Sequence, residues 1–165
     1  MRTKGTGRTA GGHTLVELLM AMALLGLVIG GVYALYFSIQ RFWRAASLRM
    51  EADRLATLAV NRMVYGYGDR RGLRTARAGS VTLQMLEDGW DLLYVTGNEQ
   101  TNRFEYRASA GTLMLQPGGA VLGKGVSNAE AVLRAQSADL RVQTHLAEGR
   151  FQAGGDFQTT VRWRN

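Results

Sequence analysis

The chain has no cysteine, which removes two common devices of a small protein at once. Without thiols there is neither a disulfide framework nor a thiolate metal site. Histidine is almost as scarce: His13 and His145 lie far apart in sequence, so a His-based metal or catalytic cluster is not expected. Internal repeats and low-complexity tracts are also missing. The arginines are scattered from Arg41 to Arg164 rather than gathered into a basic run, and no nucleic-acid module accompanies them, so nucleic acid is not an expected partner. No nucleophile, base and metal constellation emerges, and an enzyme is not expected. No cofactor is implied either.

One feature dominates what is present. From Leu18 to Phe37 no charged side chain occurs, and about 20 helical residues cross a hydrocarbon core of ~30 Å. A buried helix of a soluble protein would show a polar face, and this stretch has none. Two small residues, Gly11 and Gly12, precede the apolar run, whereas an ordinary secretory signal places its small-residue cleavage site after it. A single acid, Glu17, sits at the lip of the span. An acid there is costly unless neutralised or paired, and as an N-terminal acid it would complement the helix macrodipole by about 0.3 to 1 kcal/mol.

Gly11 to Glu17 ahead of an apolar helix resembles the prepilin-type cleavage and methylation segment of type IV pilins and type II secretion pseudopilins. The likeness implies that a prepilin peptidase removes a basic leader after Gly12 and methylates the new amino terminus at His13. It also implies that Glu17, fifth in the mature chain, meets the amine of a neighbouring subunit and sets filament register. Thr14, Leu15, Val16, Leu18 and Leu19 follow the family pattern, while His13 stands where Phe is most common. The family often bends its helix with a proline some twenty residues in, where this chain has Ala34. The leader carries Arg2, Lys4 and Arg8, three of the formal +7, so its removal leaves the mature chain at +4. Charge alone does not orient the span, because Arg41 and Arg44 follow it. The resemblance implies leader inside and head outside, in a bacterial inner membrane.

Beyond the span, Leu48, Ala52, Leu55, Ala59 and Met63 recur at helical spacing with charges on other faces. The helix is expected to run from His13 to a stop at Gly66, Tyr67, Gly68, Asp69. Tyr33, Tyr36, Phe37, Phe42 and Trp43 read as an interfacial belt. From Ser80 the period changes to alternation. Val81 to Met85, Trp90 to Thr96, Arg103 to Arg107 and Thr112 to Gln116 predict a four-strand antiparallel meander, and the stretch from Pro117 to Gly125 reads as a loop by composition. Val126 to Ala135 fits a strand better than a short helix, Leu140 to Thr144 alternates, and after a Gly-rich turn Phe157 to Asn165 closes as a strand. That ending resembles the last strand of J-type minor pseudopilins.

The fold class expected is therefore α+β: a long N-terminal transmembrane and amphipathic helix packed on an antiparallel β-sheet head, pilin-like. Its divisions are a leader at 1–12, the transmembrane half of the helix at 13–39, its amphipathic half at 40–66 and the head at 67–165. The resemblance implies as partners the prepilin peptidase, other minor and major subunits, an inner-membrane assembly platform and, for the head, exported proteins. Glu87, Asp88 and Asp91 are the densest acid group, read as an acidic turn before a calcium site, since calcium needs six to eight oxygens. Gly66, Gly68 and Gly72 with Arg70 and Arg71 follow a helix rather than open one, so they read as a helix stop rather than a phosphate cradle. Arg70, Arg71, Arg74 and Arg77 form a basic stripe, read first as a solvated loop.

Overall fold

The computed structural model describes residues 14–163. They divide into two compact units with the boundary between Phe42 and Trp43. The α-helix α1, Leu15–Tyr65, contributes to both. In the first unit every residue from 14 to 42 is exposed, and the helix is long and apolar enough to cross a membrane.

In the second unit the rest of α1 is packed against antiparallel sheet. The stripe that meets the head is Ala52, Ala56, Ala59, Val60 and Met63, all fully buried. It lies slightly around the helix from the predicted one: Leu48 and Leu55 are only partly covered, while Ala56 and Val60 take their place. Three alanines on one face keep the helix backbone close to the sheet, because nothing longer than a methyl group stands between them.

The helix ends at Tyr65, where the predicted stop becomes a two-residue hairpin, β1 (Gly66–Tyr67) against β2 (Arg70–Arg71). Gly66 has φ +104° and a Cβ there would overlap the Arg70 carbonyl, so only glycine closes this turn. A 3₁₀ turn, Leu73–Thr75, follows and buries Leu73.

Five strands then form an antiparallel meander in sequence order: β3 (Thr82–Leu86), β4 (Gly89–Val95), β5 (Thr101–Arg107), β6 (Thr112–Gln116) and β7 (Ala120–Lys124). The sequence reading has four of these, and β7 is the correction. Pro117, Gly118 and Gly119 form only the turn, and the chain pairs again from Ala120. Gly123 misleads by composition: in this strand it lies against α1, where its missing Cβ would stand 3.1 Å from the Ala59 methyl. Trp90, Leu92 and Tyr94 of β4 and Phe104 and Tyr106 of β5 point inward, with Tyr94 and Phe104 stacked at 5.1 Å.

A second sheet has three strands in the order β10-β9-β8: β8 (Val126–Arg134), β9 (Ser137–Glu148) and β10 (Phe151–Arg162). The strand reading of Val126 to Ala135 holds to within a residue. Ala138, Leu140, Val142 and Thr144 of β9 alternate inward as predicted. The last strand begins six residues before Phe157, because Gly154 and Gly155 belong to β10 and not to the turn. Gly155 pairs with Thr144 where the sheet touches the helix, and the Thr144 hydroxyl donates to the Ala52 carbonyl at 2.7 Å. The two sheets are tied by Trp90 Nε1, which donates to the Ala129 carbonyl at 2.8 Å.

Candidate functional site

The amino-terminal end of α1 is closed by a reciprocal cap. Thr14 precedes the first helical residue, and its Oγ1 accepts from the Glu17 backbone N–H at 3.3 Å. Glu17 Oε2 in turn accepts from the Thr14 backbone N–H at 2.9 Å. This is the capping box of Thr-x-x-Glu, which satisfies two of the four amide donors a helix leaves open at its start. The sequence carries the signature in the spacing of Thr14 and Glu17, so Glu17 caps the helix in addition to placing a negative charge at its start. A cut after Gly12 leaves the box whole, since Thr14 keeps the peptide N–H that joins it to His13. Gly12 and His13 themselves lie outside the described residues. After Glu17 no acid occurs until Glu51, and no side chain from 14 to 45 is buried. The aromatic group Tyr33, Tyr36, Phe37, Phe42 and Trp43 is exposed with the rest of this apolar surface. Such a surface is stable only in lipid or against other apolar helices.

In the head, the acids singled out by sequence are directed to separate partners. Asp88 accepts from the Ser109 backbone N–H at 2.8 Å and from the Ser109 hydroxyl, and these bonds hold its carboxyl below the ordinary value. Asp91 is nearly buried and meets Arg107 Nη1 at 2.9 Å and Arg103 Nη1 at 3.4 Å. Glu105, its cross-strand neighbour, takes Arg107 Nη2 at 2.8 Å. Two carboxylates facing each other across β4 and β5 are thus separated by two guanidinium groups, which removes the repulsion of a like-charged pair. Glu87 is exposed in the turn, and among the described residues no three acids or histidines gather as they would around a metal ion. His145 lies exposed on β9, opposite Gly154.

The outward face of the second sheet carries charge pairs of the same kind. Arg141 Nη2 donates to Asp156 at 2.6 Å and lowers its pKa, while the Thr160 hydroxyl and then Arg134 do the same for Asp139. These groups are solvent-exposed pairs of small energetic consequence. They give the sheet a mixed-sign surface.

Beside the β1–β2 hairpin lies an open cleft of about 600 Å³, bordered by Tyr67, Asp69, Arg70, Gln100 and Gly118. Of the glycines and arginines of the helix stop, Gly68 and Arg70 line the cleft, while Gly66 and Gly72 approach each other's backbone at the base of the hairpin. Of the basic stripe, Arg77 pairs with Glu99 at 3.6 Å and Arg71 donates to the Asn98 side chain at 3.4 Å.

Compared with known proteins, residues 7–33 match the model of the prokaryotic N-terminal methylation motif. Neither the curated proteins nor the solved structures offer a match to the chain. The matched residues contain Gly12, His13, the Thr14–Glu17 cap and the apolar run as far as Tyr33. The chain therefore joins a prokaryotic N-terminal methylation motif and a helix long and apolar enough to cross a membrane to an antiparallel α+β head, a pilin-like architecture.

Proposed function

We propose that the protein is a minor pseudopilin or minor pilin that assembles through its N-terminal helix into a type II secretion pseudopilus or a type IV pilus, near the tip. The observation that carries this reading is the methylation motif over residues 7–33 running into a helix without a single buried side chain up to residue 45. A prepilin peptidase cuts after Gly12 and methylates His13. Residues 13–39 are the membrane half of the helix, 40–66 its amphipathic half and 67–165 a head outside the inner membrane. During assembly the exposed apolar half exchanges lipid for the helices of other subunits, and an assembly platform in the inner membrane is the expected partner of that step. Glu17 contributes the counter-charge for a neighbour's methylated amine. The placement near the tip rests on the likeness of the last strand to J-type minor pseudopilins. The role is structural, and no catalytic step is assigned to it.

Processing can be tested directly. Expressed with a prepilin peptidase, the wild-type chain is expected to lose residues 1–12 and gain one methyl group, read by intact mass after membrane extraction. The Gly12→Val chain is expected to keep its full mass. A mature start beyond residue 38 would instead mean a conventional signal peptide and a soluble secreted head.

A second reading, a membrane-anchored module whose head recognises an exported protein or a surface, draws on the cleft beside the hairpin. The two readings are compatible. Retention of a purified exported protein by the membrane-extracted chain would favour it.

A further inference from the structure

We propose that the cleft beside the β1–β2 hairpin binds an acidic sugar, a hexuronate, through the side chains of Arg70 and Asp69. This inference concerns the head alone and does not depend on the filament reading.

Arg70 is set up for a planar anion. Its Nη1 donates to Asn102 Oδ1 at 3.1 Å, and Asn102 is buried on β5, so one arm of the guanidinium is anchored to a fixed strand. The remaining edge, Nε and Nη2, faces Gly118. A Cβ at residue 118 would stand 3.7 Å from Nη2 and 3.9 Å from Nε, so any side chain there would begin to cover the edge, and glycine leaves it open. Among the described residues Arg70 has no carboxylate partner. An anchored guanidinium with its two-donor edge uncovered matches a carboxylate in bidentate geometry.

The surrounding charge favours the same class of ligand. Arg62 lies over the Tyr67 ring at 4.8 Å and Arg74 over the Tyr65 ring at 5.7 Å, and among the described residues neither meets an acid. Their field attracts anions to this end of the head. Asp69 narrows the choice. Its carboxylate borders the same cleft and accepts hydrogen bonds only, so it repels a polyphosphate and rewards a ligand that brings hydroxyl donors with its single negative charge. Gln100 and Thr101 add further donors and acceptors, and Tyr67 borders the cleft beside them. A volume of about 600 Å³ lies within the range of small-ligand sites and holds one or two sugar rings. A peptide carboxylate would satisfy Arg70 but offers Asp69 only amide donors.

The test uses the full-length protein in detergent micelles and isothermal titration with galacturonate, galactose and the dipeptide acid N-acetyl-Ala-Ala. Galacturonate is expected to bind about tenfold tighter than either of the others. Arg70→Lys keeps the charge and loses the fork, and is expected to weaken galacturonate about tenfold while leaving galactose unchanged. Asp69→Asn, at the exposed hairpin tip, is expected to weaken both sugars by similar factors. Circular dichroism melts of each variant establish that the head is folded. No galacturonate binding at millimolar concentration, equal binding of galactose, or tighter binding of the dipeptide acid would each overturn the assignment.

Discussion

Glu17→Gln is expected to insert, be processed and fold like the wild type, yet to fail in docking with neighbouring subunits. Gln at this position still accepts the Thr14 N–H, so the capping box survives. What disappears is the negative charge. If the carboxylate pairs with a methylated amine in a helix bundle of low dielectric, removing one partner leaves an unpaired buried charge, at a cost of about 3 kcal/mol or more. That corresponds to about a hundredfold loss of association, which co-purification of neighbouring subunits from detergent extracts would register. Glu17→Leu removes the box as well, at a further ~1 kcal/mol in the first turn. Comparing the two separates the roles: equal failure of Gln and Leu assigns the effect to charge. Gln behaving as wild type while Leu fails would reduce Glu17 to a helix cap.

Gly155→Ala is expected to be strongly destabilising to the packing of the helix on the second sheet. Its Cβ would overlap the backbone of Ala52 and Asp53, which no rotamer change relieves. The helix must move away from β10, straining the Thr144 to Ala52 hydrogen bond beside it. Overpacking of this kind costs about 3 kcal/mol, a large share of the stability of a small domain. The adjacent Gly154→Ala is the control. Its Cβ would meet the Thr144 carbonyl at 3.4 Å, an ordinary contact, and the change is expected to stay within about 0.5 kcal/mol. Urea unfolding of both variants reads the difference as a shift in midpoint. Equal midpoints would mean that the helix and the second sheet are not held at this close approach.

The strands legible in the sequence were those whose inward residues alternate without interruption, such as Leu140, Val142 and Thr144. The span, the motif and the helix stop were legible because each depends on local composition. Two errors share one cause. Gly123 in β7 and Gly154 and Gly155 in β10 look like loop residues, but two of the three, Gly123 and Gly155, stand where the sheets touch an alanine stripe of the helix. Glycine for close approach and glycine for a turn are indistinguishable until the partner surface is known. The same contact explains the shifted stripe: small Ala56 is fully buried and bulky Leu55 only in part. The Thr14–Glu17 box is different, being written in plain Thr-x-x-Glu spacing at a position where the acid also carries charge. Of the cleft, the sequence shows only the Gly68 and Arg70 side: Asn102 and Gly118 are brought together by the pairing of β5 and β6 and the turn that follows, and the hairpin meets them through the Arg70 to Asn102 hydrogen bond.

Site-specific photo-crosslinking from the membrane half of the helix tests most directly whether this chain is a processed filament subunit. With a photoreactive residue in place of Val28, exposed in the apolar half, the chain is expected to crosslink to other pilin-like subunits in cells that assemble the filament. The adducts are expected to vanish when Gly12→Val blocks processing. Adducts of equal yield with and without processing, or none to any pilin-like subunit, would contradict assembly through the helix.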